Sequence, residues 1–281
     1  MKIKCIALDL DGTVLLDDGG MTKRIENAIQ TAILDGIHIV VASGRCFDSL
    51  PECLENIEGI EFAVTSNGAS IYEIDGGKCI KSYPVPSAAV DYIVKKYNDQ
   101  NTAFEVFYKG RAFACAYFIN NTDKYGFSEN VGEYIKATRN PVEDIYAFIS
   151  NHKNELESID IIAADKSESQ RIFEDVSAIP GVYVTTSISG RIEISSENAG
   201  KHKGLEFVLE QLGISREETA AFGNADNDME MLHFAKYGFA VSDASENCKK
   251  AADFIISPSF DDGVASVLEQ IHNMGENEIV K

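Results

Sequence analysis

The sequence predicts an α/β fold in which a parallel sheet forms the core and an α+β segment is inserted into it. Short apolar runs alternate with helical segments in the first and last thirds of the chain, and this rhythm is interrupted in the middle third. Continuous apolar runs are typical of parallel strands, because helices cover both faces of such a sheet. The predicted core strands are residues 3–8, 38–42, 61–65, 219–222, 238–241 and 254–256.

The first two strands flank a predicted helix and so form a βαβ unit. Thr22 is placed to cap the start of this helix, and Gly36 to end it. Apolar residues between them recur at helical spacing, which gives the helix one apolar face: Ile25, Ala28, Ile29, Ala32 and Ile33.

The middle of the chain follows another pattern. Residues 71–74 and 78–83 flank Asp75-Gly76-Gly77 and predict a hairpin. Residues 87–187 predict a helix, further helices and several strands, at 104–108, 111–118, 159–163 and 182–186. The βαβ rhythm returns after Gly190. We therefore expect a discontinuous α/β core of residues 1–84 and 188–281, with an α+β insert of residues 85–187.

The composition limits the classes of protein to which the chain can belong. Of the 281 residues, 44% are hydrophobic and 25% are charged, as in ordinary globular proteins. The formal net charge of −20 opposes binding to nucleic acid or to an anionic membrane. Six cysteines without a CxxC pair predict thiols in a reducing compartment, and no run approaches the ~20 apolar residues of a membrane span. We expect a cytoplasmic protein; a homo-oligomer remains open.

Acidic side chains follow the first predicted strand, in Asp9-Leu10-Asp11-Gly12-Thr13. Ligands bind at the carboxyl ends of strands in open α/β sheets. Asp9 and Asp11 can converge on one hard cation, and Gly12 permits a sharp turn that brings in the carbonyl of Asp11. The alternative is an acidic turn that only caps a strand.

Two further segments carry groups suited to an anion. Ser43-Gly44-Arg45 follows the second strand, where a hydroxyl and backbone N–H groups can bind a phosphate, although an N-cap serine is the ordinary alternative. Lys203 precedes an amphipathic helix predicted from Gly204 to Leu212. A lysine at a helix N-terminus is disfavoured by the helix dipole, so an anion would explain Lys203. Lys201 is interpreted as solvated surface.

The segment Gly223-Asn224-Ala225-Asp226-Asn227-Asp228 follows the strand at 219–222. Its oxygen ligands suit Mg²⁺, which prefers carboxylates. A capping loop with Asp226 or Asn227 as N-cap is the alternative.

These segments together resemble the haloacid dehalogenase superfamily, and within it the Cof-type phosphatases with a large α+β cap. The four motifs of that family match the segments that begin at Asp9, Ser43, Lys203 and Gly223. Asn67-Gly68 is similar to a segment that precedes the cap, and Asp262-Gly263 to the closing motif. The resemblance implies a Rossmann-like core with an inserted cap, Mg²⁺ as cofactor, and a small phosphorylated metabolite as substrate.

The resemblance also implies roles for individual residues. Asp9 would be the nucleophile that forms an aspartyl-phosphate, and Asp11 the general acid and base. Ser43, Gly44, Lys203 and Asn227 would bind the phosphoryl oxygens. Asp9, Asp11, Asn224 and Asp228 would hold the metal, with Asp228 orienting Lys203 or metal-bound water. For Arg45, a structural ion pair is favoured over contact with the phosphate.

One residue departs from the family pattern, because Asn224 stands where the family has a metal-binding aspartate. An amide oxygen can bind a hard cation but brings no charge. Asn224 could itself bind the metal, Asp226 or Asp228 could compensate, or catalysis could be weak. Two alternatives to a phosphatase therefore remain: a phosphomutase of similar layout, and a weakly catalytic protein that binds phosphorylated metabolites.

Overall fold

The computed structural model describes residues 2–98, 102–163, 165–188 and 190–274. Its strands are β1 (Cys5–Leu8), β2 (His38–Ala42), β3 (Phe62–Thr65), β4 (Ser70–Glu73), β5 (Lys78–Ser82), β6 (Thr102–Tyr108), β7 (Arg111–Cys115), β8 (Arg139–Val142), β9 (Leu156–Ala163), β10 (Val182–Thr185), β11 (Arg191–Ser196), β12 (Thr219–Gly223), β13 (Tyr237–Val241) and β14 (Phe254–Ile256). Its α-helices are α1 (Lys23–Leu34), α2 (Ser87–Lys96), α3 (Ala116–Ile119), α4 (Glu129–Thr138), α5 (Ile145–His152), α6 (Lys166–Ser177), α7 (Lys201–Leu212), α8 (Met229–Phe234), α9 (Glu246–Ala251) and α10 (Gly263–Met274).

The chain divides into two compact units. The first contains the described residues of the ranges 1–44, 50–80 and 200–281, and the second contains those of 45–49 and 81–199. An α/β core interrupted by an α+β segment was expected, and this fold class is confirmed.

The first unit contains an eight-stranded sheet in the order β14-β13-β12-β1-β2-β3-β4-β5. Every pair from β14 to β3 is parallel, and β4 returns antiparallel to β3. β1 lies between β12 and β2. The chain first adds β2 to β5 on one side of β1, and later adds β12 to β14 on the other. Such a reversal of strand order opens a crevice at the carboxyl ends of the two strands, where ligands bind.

Helix α1 shows how the sequence builds this unit. The hydroxyl of Thr22 accepts a hydrogen bond from the backbone N–H of Ile25 over 3.1 Å, which satisfies a donor of the first turn. Gly36 follows the helix with φ +81°, a conformation that glycine adopts without strain. Both predicted helix signals are confirmed, and Ile25 and Ile29 are buried in the same apolar cluster as Ile6 and Leu8 of β1.

The second unit contains a six-stranded sheet in the order β10-β11-β9-β6-β7-β8. Its pairs are antiparallel except β7 with β8. One apolar cluster joins this sheet to α2, α5 and α6, through side chains such as Val106 and Ile161 of the strands and Ile93, Ile149 and Ile172 of the helices.

Two predicted boundaries are wrong. The return to the core was expected at residue 188, but β11 pairs with β9 and β10 in the second sheet, so the first unit resumes at Gly200. The strand expected at 111–118 ends at Cys115, where α3 begins. The sulfur of Cys115 accepts a hydrogen bond from the backbone N–H of Phe118 and caps this short helix, which buries the Phe118 ring.

No α-helix in the described parts of the chain is long and apolar enough to cross a bilayer.

Candidate active site

The segments singled out in the sequence meet at one edge of the first sheet. Asp9 follows β1, and its backbone N–H donates to the carbonyl of Phe222 in β12 over 3.1 Å. Ser43 follows β2, and its N–H donates to the carbonyl of Val64 in β3 over 2.8 Å. Asn224 follows β12. Parallel pairing therefore brings three strand ends together at the point where the strand order reverses.

Asp9 is the acidic group at the centre of this edge. Its side chain is buried, and one carboxylate oxygen accepts from the hydroxyl of Thr13 over 2.7 Å. The other oxygen accepts from Nζ of Lys201, also over 2.7 Å. Burial and the nearby charge of Asp228 raise the pKa of Asp9 to about 7, although Lys201 opposes the rise.

Lys201 is the cation that holds the site together. Only 1% of its surface is exposed, and Nζ also donates to Oδ1 of Asp228 over 2.6 Å. Burial alone would lower the pKa of Lys201, but Asp228 and Asp9 together raise it above its ordinary value. A buried ammonium between two carboxylates stays charged, because both partners stabilise its protonated form.

This geometry corrects the assignment of the lysine. Lys201 was expected at the solvated surface and Lys203 at the anion site, but α7 begins at Lys201 and not at Gly204. Lys203 is therefore turned about 200° around the helix axis from Lys201, and it is half-buried. The helical spacing carried this signal, because Lys201 stands four and seven residues before the buried Leu205 and Val208.

Asp228 is fully buried beside Lys201. One oxygen accepts from Lys201, and the other accepts from the backbone N–H groups of Asn224 and Ala225 over 2.9 and 3.0 Å. These bonds tie the loop after β12 to the start of α7. Asp228 thus orients both the lysine and the loop, whereas it was expected to orient Lys203 or metal-bound water.

Asp226 faces a different partner. Its carboxylate accepts from the hydroxyl of Ser245 and, over 3.1 Å, from the side-chain amide of Asn247. These groups belong to the start of α9, whose N-cap is Ser245. Asp226 and Asp228 are therefore both engaged in holding the loop.

Asn224 lies over the turn that follows Asp11. A Cβ atom added to Gly12 would fall 2.3 Å from Nδ2 of Asn224, so the Asn224 amide packs against this glycine. Gly12 has φ +76°, and Asp11 before it is exposed. The amide of Asn224 and the carboxylates of the first motif thus border the same turn.

The donors present fit a magnesium ion. Asp9, Asp11 and Asn224 offer only oxygen atoms of carboxylate and amide groups, which suit this hard cation. In the described residues, no three or more His, Cys, Asp or Glu side chains are grouped as a metal site.

Ser43, Gly44 and Asn227 lie around Asn67, which was expected only as part of a segment that precedes the cap. Nδ2 of Asn227 donates to Oδ1 of Asn67 over 2.9 Å, and the backbone N–H of Asn67 donates to the carbonyl of Ser43 over 3.1 Å. Its position after β3, the strand next to β2, is the signal that could have placed Asn67 here.

Arg45 belongs to the second unit. Its guanidinium donates to the carbonyl of Ser49 over 2.9 Å and stacks on the ring of Tyr134 at 4.6 Å. Both contacts are structural, and the expected ion pair of Arg45 stays a prediction.

Comparison with known proteins agrees with this geometry. The family model of haloacid dehalogenase-like hydrolases matches residues 6–268. Two Bacillus subtilis proteins named 5-amino-6-(5-phospho-D-ribitylamino)uracil phosphatase are similar to the chain. YcsE is 25% identical over 95% of both chains, and YitU is 28% identical over 96% of this chain and 97% of its own.

A solved structure of a haloacid dehalogenase-like hydrolase from B. subtilis has the same fold. It superposes with a TM-score of 0.84 at 23% identity, over 95% of this chain and 99% of that one. The chain belongs to the haloacid dehalogenase-like hydrolase family, which confirms the family and the enzyme class that the motifs implied.

Proposed function

We propose that the chain is a magnesium-dependent phosphatase that hydrolyses a small phosphorylated metabolite through an aspartyl-phosphate on Asp9. The observation that carries this proposal is the buried ammonium of Lys201 between Asp9 and Asp228 at the carboxyl end of β1. An ammonium held beside a carboxylate nucleophile supplies the positive charge that a phosphate dianion needs in order to approach it.

In the first step, a carboxylate oxygen of Asp9 attacks phosphorus and forms the acyl-phosphate bond. The bond between phosphorus and the ester oxygen breaks, and Asp11 gives its proton to the departing alcohol. Asp11 is exposed and next to the Gly12 turn, so its carboxyl group can reach a bound ester. Lys201, Ser43 and Asn227 would bind the phosphoryl oxygens.

In the second step, Asp11 takes a proton from a water molecule that attacks the phosphorus of the aspartyl-phosphate. The bond from phosphorus to Asp9 breaks, and inorganic phosphate and the original carboxylate result. Asp228 keeps Lys201 in place throughout, because it is buried and accepts from both the lysine and the backbone of the loop.

Asp9, the carbonyl of Asp11 and Asn224 are the residues that would hold magnesium, with Asp228 as a neighbour that orients them. Bound magnesium would neutralise part of the charge between the Asp9 carboxylate and the phosphate. We favour Asn224 over Asp226 as the ligand after β12, because Asp226 is engaged with Ser245 and Asn247.

The substrate class we propose is a sugar phosphate or a similar small ester. The two Bacillus relatives carry names that specify a phosphorylated ribityl compound, so this compound is the first natural substrate to test. With 45 acidic and 25 basic residues, the protein has little field to attract a polyanion, which favours a small ester over nucleic acid. Its six cysteines carry thiols, which suits the cytoplasm.

The test is release of phosphate from para-nitrophenyl phosphate across a magnesium titration. The native protein should turn over only with magnesium, and Asp9→Asn should lose the activity while its unfolding temperature stays near the native value. Asp17→Asn is the matched control, because Asp17 is an exposed acid in the loop after the same strand.

Two other outcomes would replace the proposal. Activity that needs a sugar bisphosphate activator would indicate a phosphomutase. A native protein that inorganic phosphate stabilises but that is inert at every magnesium concentration would be a binding protein, and Asn224 would then be the residue to examine first.

A further inference from the structure

Residues 66–68 form a strained segment between β3 and β4. Ser66, Asn67 and Gly68 have φ values of +51°, +53° and +86°, so three successive residues adopt the left-handed conformation. This region costs an ordinary residue about 1–2 kcal/mol, and only glycine and, to a lesser degree, asparagine enter it easily. Such a conformation persists where surrounding contacts impose it, and it occurs often at functional sites.

Backbone contacts clamp this segment between two parts of the candidate active site. The N–H of Asn67 donates to the carbonyl of Ser43 over 3.1 Å, and the carbonyl of Asn67 accepts from the N–H of Gly200 over 2.8 Å. Gly68 packs so closely that an added Cβ would lie 2.2 Å from the carbonyl oxygen of Gly200. Asn67 thus joins the segment after β2 to the residue that immediately precedes Lys201.

The side chain of Asn67 makes a third connection. Its Oδ1 accepts from Nδ2 of Asn227 over 2.9 Å, and both residues are 5% exposed. A Cβ added to Gly44 would fall 3.3 Å from the same oxygen, so Gly44 leaves room for the Asn67 amide.

The Asn227 amide is only partly used by these contacts. Its Oδ1 is buried and has no hydrogen-bond partner among the residues that the structure describes. Buried polar atoms are nearly always paired, so this acceptor calls for a donor such as a water molecule, whereas a phosphoryl oxygen can only accept. Nδ2 also carries a second N–H beside the one that Asn67 accepts.

We infer that Asn67 is a positioning residue for phosphate binding, and this inference rests on the phosphatase function proposed above. Its backbone fixes the Ser43 segment against the start of α7, and its side chain fixes the amide of Asn227. Asn67 does not itself bind the phosphoryl group. It sets the relative placement of Ser43, Asn227 and Lys201.

The test separates the side chain of Asn67 from its backbone. Asn67→Gly removes the amide but keeps the left-handed conformation, which glycine adopts without strain, so this variant should fold. Lys109→Gly is the matched control, because Lys109 has φ +49° in a turn of the second unit. The probe is inorganic phosphate with magnesium, and the readout is the dissociation constant from thermal stabilisation, which needs no turnover.

We expect Asn67→Gly to weaken phosphate binding about tenfold, the effect of one well-placed hydrogen bond, with the control unchanged. Asn227→Ala should weaken it to a similar degree, and the double variant should be little worse than either single one, because the two side chains act as a unit. An unchanged dissociation constant in Asn67→Gly, or fully additive losses, would overturn the inference. Failure of the native protein to hydrolyse any ester would overturn the phosphatase proposal instead and leave this binding comparison intact.

Discussion

The Nζ atom of Lys201 lies 2.7 Å from Oδ1 of Asp9, and both side chains are almost completely buried. The lysine and the aspartate are 192 positions apart in the chain, and each would be costly to bury alone. Together they place a fixed positive charge beside a carboxylate at a strand end. Catalysis and magnesium binding are therefore expected to depend on this pair or on the loops that hold it.

Replacing Lys201 should nearly abolish catalysis, whereas replacing Lys203 should not. Lys201→Met keeps the bulk of the side chain but removes the charge, and we expect kcat/KM to fall at least about a hundredfold. Lys203→Met, two residues later on the same helix, should change kcat/KM less than about twofold. Steady-state kinetics on para-nitrophenyl phosphate measures both, and equal losses in the two variants would contradict the geometry.

Replacing Asn224 by aspartate should strengthen magnesium binding. The two side chains have the same shape, so packing against Gly12 is kept, while a charged oxygen replaces a neutral one. We expect the magnesium concentration at half-saturation to fall on the order of tenfold. Thermal stabilisation by magnesium alone measures this without turnover, and Asp226→Asn serves as the control, with little change expected.

Gly68 should tolerate no side chain. An alanine there combines left-handed strain with a Cβ 2.2 Å from the carbonyl of Gly200, and we expect a loss of at least about 3 kcal/mol in the free energy of unfolding. Gly36→Ala is the control, because Gly36 has φ +81° but no atom within 4 Å of an added Cβ. It should lose only about 1 kcal/mol. Urea unfolding compares the two, and similar losses would mean that the contact with Gly200 is unimportant.

The second unit contains a buried group of charges around Glu105. Arg139 and Arg191 both contact this carboxylate, at 2.7 and 2.5 Å. Asp160 and Glu193 lie on the neighbouring strands, and Asp160 accepts from the hydroxyl of Ser158. Burial raises the pKa of Asp160 to about 8, and Glu193 adds to the rise while Arg191 opposes it.

The raised pKa of Asp160 predicts that stability falls as the pH rises toward about 8. The folded protein keeps this proton above the ordinary carboxyl pKa of about 4, so the stabilisation is complete below about pH 4 and is lost as the pH rises through about 8. Asp160→Asn stays neutral, so its free energy of unfolding should fall by about 1–3 kcal/mol less than that of the native protein between about pH 6 and about pH 9. Asp165→Asn is the control, since the hydroxyl of Ser167 and backbone N–H groups lower the pKa of this exposed carboxyl group. Chemical unfolding at both pH values measures this difference. Equal losses of unfolding free energy in the native protein and in Asp160→Asn would refute the prediction.

Local patterns predicted most of the first unit. The helix signals at Thr22 and Gly36 hold, and the end of α7 at Gly213, with φ +65°, lies where the sequence placed it. The errors occurred where pairing partners are distant in sequence. β11 alternates apolar Ile192 and Ile194 with polar residues, and its pairing with β9 assigns it to the second sheet.

The sequence by itself determined the family, the α/β core and the strand ends that carry Asp9, Ser43 and Asn224, because short motifs and apolar periodicity are local properties of the chain. Only the tertiary structure decided which lysine faces Asp9 and what holds Asn227. Lys201 and Lys203 are only two residues apart, and the residue at which α7 begins determines the direction in which each side chain points. Asn67 and Asn227 are 160 positions apart, and only sheet pairing brings their amides to 2.9 Å.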